Sequence, residues 1–331
     1  GTPQAWDKKK GAYYLAQGPY NQALGLWYAG EKFSPEAKAD VEAKVATMID
    51  VYKSRLQTAD WLAPETREKA ITKLNVITPH IGYPEKLPET YDKKIIDENL
   101  SLVENAQKLV EISIAHSWSK WNQPVDRSEW HMPAHMVNAY YDPQQNQIVF
   151  PAAILQAPFY DLHQSSSANY GGIGAVIAHE ISHAFDTNGA SFDENGSLKN
   201  WWTEEDYTAF KERTDKIVDQ FEGLDSYGAK VNGKLTVSEN VADLGGVACA
   251  LEAAKRDKDF SVREFFVNFA TIWRMKAREE YMQMLASVDV HAPAKWRTNV
   301  IVSNFDEFHK EFDVKEGDGM WRAPEDRVII W

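Results

Sequence analysis

Apolar residues recur at helical spacing through the first third of the chain. One such series advances by four, three and four positions, which is the stripe of an amphipathic helix, and it consists of Val41, Val45, Met48 and Tyr52. Ser34 followed by Pro35 is a typical helix start, because serine caps the first amides and proline tolerates the first turn. A second helix is expected from Pro64, and residues 93–122 also have helical character. Residues 1–125 are therefore predicted to be a helical segment.

The pattern changes near residue 125. Two short aromatic or β-branched runs within residues 136–151 flank the segment Asp-Pro-Gln-Gln-Asn at 142–146, which predicts a β-hairpin. An apolar run over 173–185 predicts a buried helix, and the polar residues 186–200 predict a loop. Further helices are expected from Thr203, from about residue 238, and over 262–287. The predicted class is α+β, mostly helical with a small sheet, and residues 126–331 form its second part.

The most informative stretch is His-Glu-Ile-Ser-His at 179–183. His179 and His183 are four residues apart, so on a helix both imidazoles project from one face. They can then bind one Zn²⁺ at about 2.0–2.1 Å from each nitrogen. Glu180 lies beside the metal, where it can take a proton from zinc-activated water and pass it to a leaving amine. The alternative is a pair of ordinary buried histidines, but burying Glu180 between them would be unfavourable without a metal or another partner.

A catalytic zinc usually has three protein ligands, so a third residue is required. One zinc-protease pattern has Gly and His three and six residues beyond the second histidine. Those positions are Asp186 and Gly189 here, so the pattern fails and a carboxylate is expected instead. Two candidates compete, Glu204 or Glu205 on one hand and Glu239 on the other.

Each candidate also has a purely structural explanation. Glu204 and Glu205 follow Thr203 and match the acidic first turn of a capped helix. Glu239 stands three residues after Thr236, as in a capping box. Asp243, one helical turn beyond Glu239, could accept the free ring N–H of a zinc-bound histidine. This favours Glu239 without excluding the other candidate.

Composition limits the classes of partner. The chain has 331 residues, 44% hydrophobic and 26% charged, which is typical of a globular protein. Lys and Arg number 36 against 49 Asp and Glu, and a net charge of −13 argues against nucleic acid or an anionic membrane as the main partner. Cys249 is the only cysteine, which fits a cytosolic or bacterial protein without disulfides. No apolar run has the form of a signal peptide or membrane segment, so none is expected in this chain.

Longer motifs surround these residues. They are VNAYYDPQQNQIVFPAAILQAPFY, NYGGIGAVIAHEISHAFD, NWWTEED, SENVADLGG, DVHAPAKWR and RVIIW. Together they resemble the neprilysin-like family of zinc endopeptidases, most closely its bacterial oligopeptidase O type, over nearly the whole chain. The resemblance implies a zincin-like catalytic domain with one Zn²⁺ per chain. It implies that His179, His183 and Glu239 are the zinc ligands and that Glu180 is the catalytic base.

The same resemblance implies roles for other residues. Asp243 would orient a zinc-binding histidine, His291 would stabilise the oxyanion, and Arg297 would bind the substrate main chain. The remaining substrate-binding positions are Asn138 and Ala139 for the peptide backbone, and Phe159, Val176 and Trp273 for an apolar S1′ pocket. On local sequence alone, His291 is a loop histidine, Arg297 a surface cation, Asn138 a turn or strand-end residue, and the apolar three are core.

The predicted function is a zinc metalloendopeptidase that cleaves oligopeptides on the amino side of apolar residues. The alternative is a non-catalytic module that holds zinc and binds peptides or a protein. Family members are about twice as long, so the resemblance implies that this chain is the C-terminal catalytic part. Residues 1–125 would then link to, or remain from, a helical second domain that roofs the active site. A bacterial cytoplasmic location is expected, with secretion or the cell surface as the alternative.

Overall fold

The structure is a computed structural model that describes residues 4–331, and helices dominate it. The α-helices in chain order are α1 (Lys8–Lys32), α2 (Pro35–Thr58), α3 (Pro64–Asn75), α4 (Leu102–Ser119), α5 (Ser166–Asn169), α6 (Ala175–Ser182), α7 (Glu204–Phe221), α8 (Gly233–Ala254), α9 (Val262–Ile272), α10 (Glu279–Val288), α11 (Ala294–Val302) and α12 (Asp306–Glu311). The strands are β1 (Thr78–Gly82), β2 (Tyr140–Asp142), β3 (Gln147–Pro151), β4 (Asp225–Ser226) and β5 (Ala229–Lys230). The predicted class, α+β and mostly helical, is confirmed. Within the described residues, no helix combines the length and apolar character needed to cross a bilayer.

Helix α2 packs one apolar face against α6 and α8. Its start is as predicted, because the Ser34 side chain accepts a hydrogen bond from the amide of Ala37 and Pro35 occupies the first turn. All four residues of the predicted apolar stripe are buried. They belong to a core cluster that also contains residues of α6 and α8, so α2 supports the two helices that carry the motif residues.

A three-stranded sheet joins the beginning and middle of the chain. The predicted hairpin is confirmed, with β2 antiparallel to β3. On the other side, β1 runs parallel to β3, pairing Thr78 with Gln147 and Gly82 with Pro151. Strand β1 precedes residue 125 and β3 follows it, so residues on both sides of the predicted boundary share one sheet. The boundary itself stays a prediction.

Three predicted helices have different limits in the structure. Helix α4 begins at Leu102 rather than 93, because Ser101 and Glu104 form a capping box there. Helix α8 begins at Gly233 rather than 238, capped by the Asn232 side chain, which accepts from the amide of Leu235. The proposed capping box of Thr236 and Glu239 is therefore wrong, since both residues lie inside the helix.

The third difference is a break in the predicted helix over 262–287. Helix α9 ends at Ile272 and α10 begins at Glu279. Trp273 has left helical geometry at this point, and the Arg297 guanidinium lies 3.9 Å from the centre of its ring. The break thus coincides with a contact between residues distant in sequence, which periodicity does not encode.

Helices α6 and α8 pack backbone to backbone. Every residue of α6 is buried. Where α8 crosses α6, Gly246 is so close that a Cβ on it would lie 2.7 Å from the amide nitrogen of His179. Only glycine permits this approach without a shift of one helix. The crossing brings Glu239 and Asp243, which lie earlier on α8, to the face of α6 that carries His179.

Replacement of Gly246 by alanine is expected to lower the free energy of unfolding by about 1–3 kcal/mol, because the added methyl group overpacks this crossing. Denaturant unfolding measures the change. Gly30→Ala on α1 is the matched control, since a Cβ there meets nothing within 4 Å. Alanine's higher helix propensity should leave that variant equally stable or more stable, by up to about 1 kcal/mol. Equal stability of the Gly246→Ala variant and the unmodified protein would contradict the packing argument.

Candidate active site

Three potential metal ligands converge where α6 meets α8. The Nε2 atoms of His179 and His183 are 3.0 Å apart. Oε2 of Glu239 lies 3.3 Å from Nε2 of His179 and 3.6 Å from Nε2 of His183. Among residues 4–331, no other group of three or more His, Cys, Asp or Glu side chains has ligand atoms close enough to share one metal ion.

The donor set fits zinc. Tetrahedral ligands at about 2.0–2.1 Å from Zn²⁺ are separated from one another by about 3.3 Å, close to the three observed separations. Oε2 of Glu239 is buried and has no hydrogen-bond partner of good geometry. Two imidazoles and a carboxylate are also a ligand set of catalytic zinc sites. The competing candidates Glu204 and Glu205 are exposed in the first turn of α7, below the Thr203 cap, and are not in this group.

A carboxylate on α8 lies against the ring of the first histidine. Oδ1 of Asp243 lies 2.8 Å from Nδ1 of His179, so a proton on Nδ1 leaves the Nε2 lone pair free for a metal. Arg297 donates to the same carboxylate from Nε at 2.6 Å and from Nη2 at 2.9 Å. Burial raises the pKa of Asp243, but the charges of Arg297 and His179 outweigh it and hold that pKa below its ordinary value.

A second carboxylate forms a hydrogen bond with the other histidine. Oδ2 of Asp186 lies 2.6 Å from Nδ1 of His183 and accepts a hydrogen bond from the Ser238 hydroxyl, also at 2.6 Å. Its Oδ1 accepts from the amides of Asn188 and Gly189. Sequence reasoning missed this residue, using Asp186 only to reject another ligand pattern. The available signal was an acidic side chain three residues after the second histidine, near enough to reach back to its ring.

Glu180 and His291 face the same group. Glu180 is buried beside the histidines; burial raises the pKa of its carboxyl, although the charges of the two histidines and Arg297 oppose this. His291 precedes α11 and is 44% exposed at its side chain. Its Nε2 lies 3.2 Å from Oε2 of Glu239, and its Nδ1 lies 2.8 Å from Asp289. The contact with Glu239 raises the pKa of His291 despite partial burial.

All the predicted site residues line one cleft of about 450 Å³. They are Asn138, Ala139, Phe159, Val176, His179, Glu180, His183, Glu239, Asp243, Trp273, His291 and Arg297. The cleft therefore brings together residues from 138 to 297, contributed by the segment before β2, the segment between β3 and α5, α6 and α8, and the segments around α9 and α11.

The cleft has a polar edge and an apolar end. Asn138 and Ala139 lead into β2, which is the outer strand of its sheet and leaves one edge unpaired. At the apolar end, the rings of Phe159 and Trp273 meet edge to face with centroids 6.4 Å apart, and Val176 lies beside them in the lining. The strand-edge residues, the metal-ligand group and the apolar end all line the same cleft.

Known proteins share much of this sequence. Residues 138–328 match peptidase family M13, and residues 1–84 match the N-terminal region of the same family. A Streptococcus gordonii protein from the scaA 5′ region is 81% identical over 265 residues, which are 80% of this chain and 47% of that protein. The neutral endopeptidase of Lactococcus lactis subsp. lactis is 54% identical over 328 residues, 99% of this chain and 52% of its own length.

Solved structures also resemble this chain closely. The crystal structure of PEPO from Lactobacillus rhamnosis superposes with a TM-score of 0.94 at 42% identity, covering 99% of this chain and 52% of that one. The zinc metalloprotease ZMP1 of Mycobacterium tuberculosis, in complex with an inhibitor, gives 0.91 at 38% identity with the same coverage. The chain thus spans about half the length of these relatives. The predicted likeness to bacterial oligopeptidases is confirmed, and the chain belongs to peptidase family M13, the neprilysin-like metalloendopeptidases, whose cofactor is zinc.

Proposed function

We propose that the chain carries the catalytic site of a zinc endopeptidase that acts on oligopeptides, with one Zn²⁺ per chain bound by His179, His183 and Glu239. The observation that carries the proposal is the convergence of these three donors beside a buried glutamate in an open cleft. When bound, zinc acts as a Lewis acid that polarises the scissile carbonyl and makes water a stronger acid.

Glu180 supplies the acid–base step. Its carboxylate accepts a proton from the attacking water and returns it to the departing amine, so no covalent intermediate with the protein forms. Burial raises the pKa of Glu180, which makes its carboxylate a stronger base for the first transfer. Asp243 and Asp186 act indirectly, since each orients one histidine ring.

Two basic side chains are placed to bind the substrate carbonyls. The oxygen of the scissile carbonyl gains negative charge as water attacks, and His291 lies at the edge of the metal-ligand group, where its N–H can stabilise that charge. Arg297 uses Nε and Nη2 for Asp243, which leaves Nη1 for a main-chain carbonyl of the peptide. Asn138 and Ala139 offer the strand edge to the peptide backbone by β-augmentation.

The apolar end of the cleft suggests the cleavage preference. Phe159, Val176 and Trp273 form a concave apolar surface next to Arg297. A side chain that follows the scissile bond would be buried there, at about 25 cal/mol per Å² of apolar surface. This supports cleavage on the amino side of large apolar residues.

A quenched-fluorescence peptide series tests the function. Hydrolysis that requires an apolar residue after the scissile bond, stops with a chelator and returns with zinc would support the proposal. Because the chain spans about half the length of its relatives, the assay is run both on this chain and on the chain joined to an N-terminal half taken from a relative. Stoichiometric zinc binding without cleavage in either form would favour the non-catalytic peptide-binding alternative.

His291→Ala is expected to reduce kcat by about 10²–10³-fold while zinc content and KM change little, because the lost donor acts mainly in the transition state. Steady-state kinetics together with metal analysis measure both quantities. His163→Ala, which alters an exposed loop histidine outside the cleft, is the control and should behave like the unmodified protein. A change confined to KM would argue against this role for His291.

A further inference from the structure

Lys73 on α3 is a buried lysine that binds only backbone carbonyls by hydrogen bonds. Its side chain is 1% exposed. The ammonium donates to the carbonyl oxygens of Ala184 and Gly189, both at 2.8 Å, and of Phe192 at 2.7 Å. These three hydrogen bonds use all three N–H donors of the group. Within the described part of the chain, Lys73 forms no ion pair with a carboxylate.

The surroundings of Lys73 disfavour a charged side chain. Burial lowers the pKa of Lys73 to about 7, although the charges of Asp186, Asp193 and Glu194 oppose this. The rings of Tyr141, Phe185 and Trp201 have their centres 5.8–5.9 Å from the ammonium nitrogen. A methionine would fill a similar volume without burying a charge, so packing alone does not account for the lysine.

All three carbonyls belong to the segment that follows His183. In residues 184–192 the chain turns back on itself, and Gly189 packs so closely that a Cβ on it would overlap the carbonyl oxygen of His183. Asp186 stands in the middle of this segment, where it accepts from the amides of Asn188 and Gly189 and contacts the His183 ring. Lys73 holds the segment on both sides of Asp186, at Ala184 and at Gly189.

We propose that Lys73 is a positioning residue for the zinc site: by binding three carbonyls of residues 184–192, it keeps the Asp186 carboxylate where it orients His183. This rests on the proposed role of His183 as a zinc ligand. One of the three carbonyls, that of Ala184, lies two residues beyond the end of α6, where the negative end of the helix dipole also favours an ammonium. Lys73 never touches the metal or the substrate, and its effect passes through Asp186.

The inference is tested with Lys73→Met, which keeps the volume and removes the donors. The zinc dissociation constant is measured by competition with a chelator, and melting temperatures are recorded with and without zinc. We expect zinc binding to weaken about 10–100-fold, as for other residues that orient ligands, so that zinc raises the melting temperature less than in the unmodified protein. Lys69→Met, an exposed lysine one turn earlier on α3, is the matched control and should retain full zinc affinity.

If Lys73 only stabilises the fold, the measurements give a different result. In that case Lys73→Met lowers both melting temperatures equally and leaves the zinc dissociation constant unchanged, which overturns the proposal. If the methionine variant does not fold, Lys73→Arg decides instead. Its planar guanidinium keeps the charge but cannot reproduce the three-carbonyl geometry. Weaker zinc binding is therefore expected, and unchanged binding overturns the proposal. An unmodified protein that binds no zinc would refute the proposed function itself, and this inference with it.

Discussion

Replacement of Glu180 by glutamine is expected to leave zinc bound and to reduce turnover by about 10²–10⁴-fold, the usual contribution of a general base. Glutamine has nearly the same shape, so α6 and the two histidines should keep their positions. An amide cannot accept the proton of the attacking water, nor return one to the leaving amine. Cleavage of a quenched-fluorescence peptide and metal analysis of the same sample measure the two properties together.

The control for this variant is Glu205→Gln, which makes the same chemical change at an exposed position on α7. It should retain full activity. Substantial turnover by metal-replete Glu180→Gln protein would mean that another group accepts the proton, and the role given to Glu180 would be wrong. Loss of both zinc and turnover would instead show that Glu180 is needed to build the site.

Replacement of Glu239 by alanine is expected to weaken zinc binding by more than about 100-fold, because it removes a proposed direct ligand rather than a group that orients one. Although burial raises the pKa of the Glu239 carboxyl, contacts with His179, His183 and His291 hold that pKa well below its ordinary value. The ligand is therefore ionised at neutral pH. Zinc content after dialysis and the dissociation constant measure the loss.

The variant Glu204→Ala distinguishes between Glu204 and Glu239, the carboxylates that the sequence offers as third zinc ligand. Glu204 lies in the first turn of α7 and stabilises that helix end by charge, an effect of about 0.3–1 kcal/mol. Its replacement should lower stability slightly and leave zinc affinity unchanged. Zinc loss in the Glu204 variant, with retention in the Glu239 variant, would reverse the assignment.

The sequence predicted helices best where a local pattern determines them. The start of α2 follows from Ser34 and Pro35, and its buried face from apolar spacing. The start of α8 was misplaced because Thr236 and Glu239 fit a capping box as well as Asn232 fits a cap. The break after Ile272 coincides with the contact between Trp273 and Arg297. These residues are 24 positions apart in the sequence, and no periodicity carries that information.

Some site residues are indicated by the local sequence, and others are recognised only when the folded chain brings them together. The spacing of His179 and His183 pointed to a metal, and the motifs supplied residues that all line one cleft. Lys73 was missed because a lysine on an amphipathic helix normally lies in water. Its role depends on residues more than a hundred positions later, which approach it only in the folded chain.

The carboxylate of Asp243 is shared between His179 and Arg297. Removal of the guanidinium would strand a buried anion, a defect that typically destabilises a protein by about 3–5 kcal/mol, and would alter the charge felt by the histidine ring. The peptide recognition proposed for Arg297 thus cannot be redesigned independently of the proposed metal site. Substrate specificity can be altered more freely at Val176 and Phe159. Their side chains are uncharged and take no part in the contacts of Asp243 with His179 and Arg297.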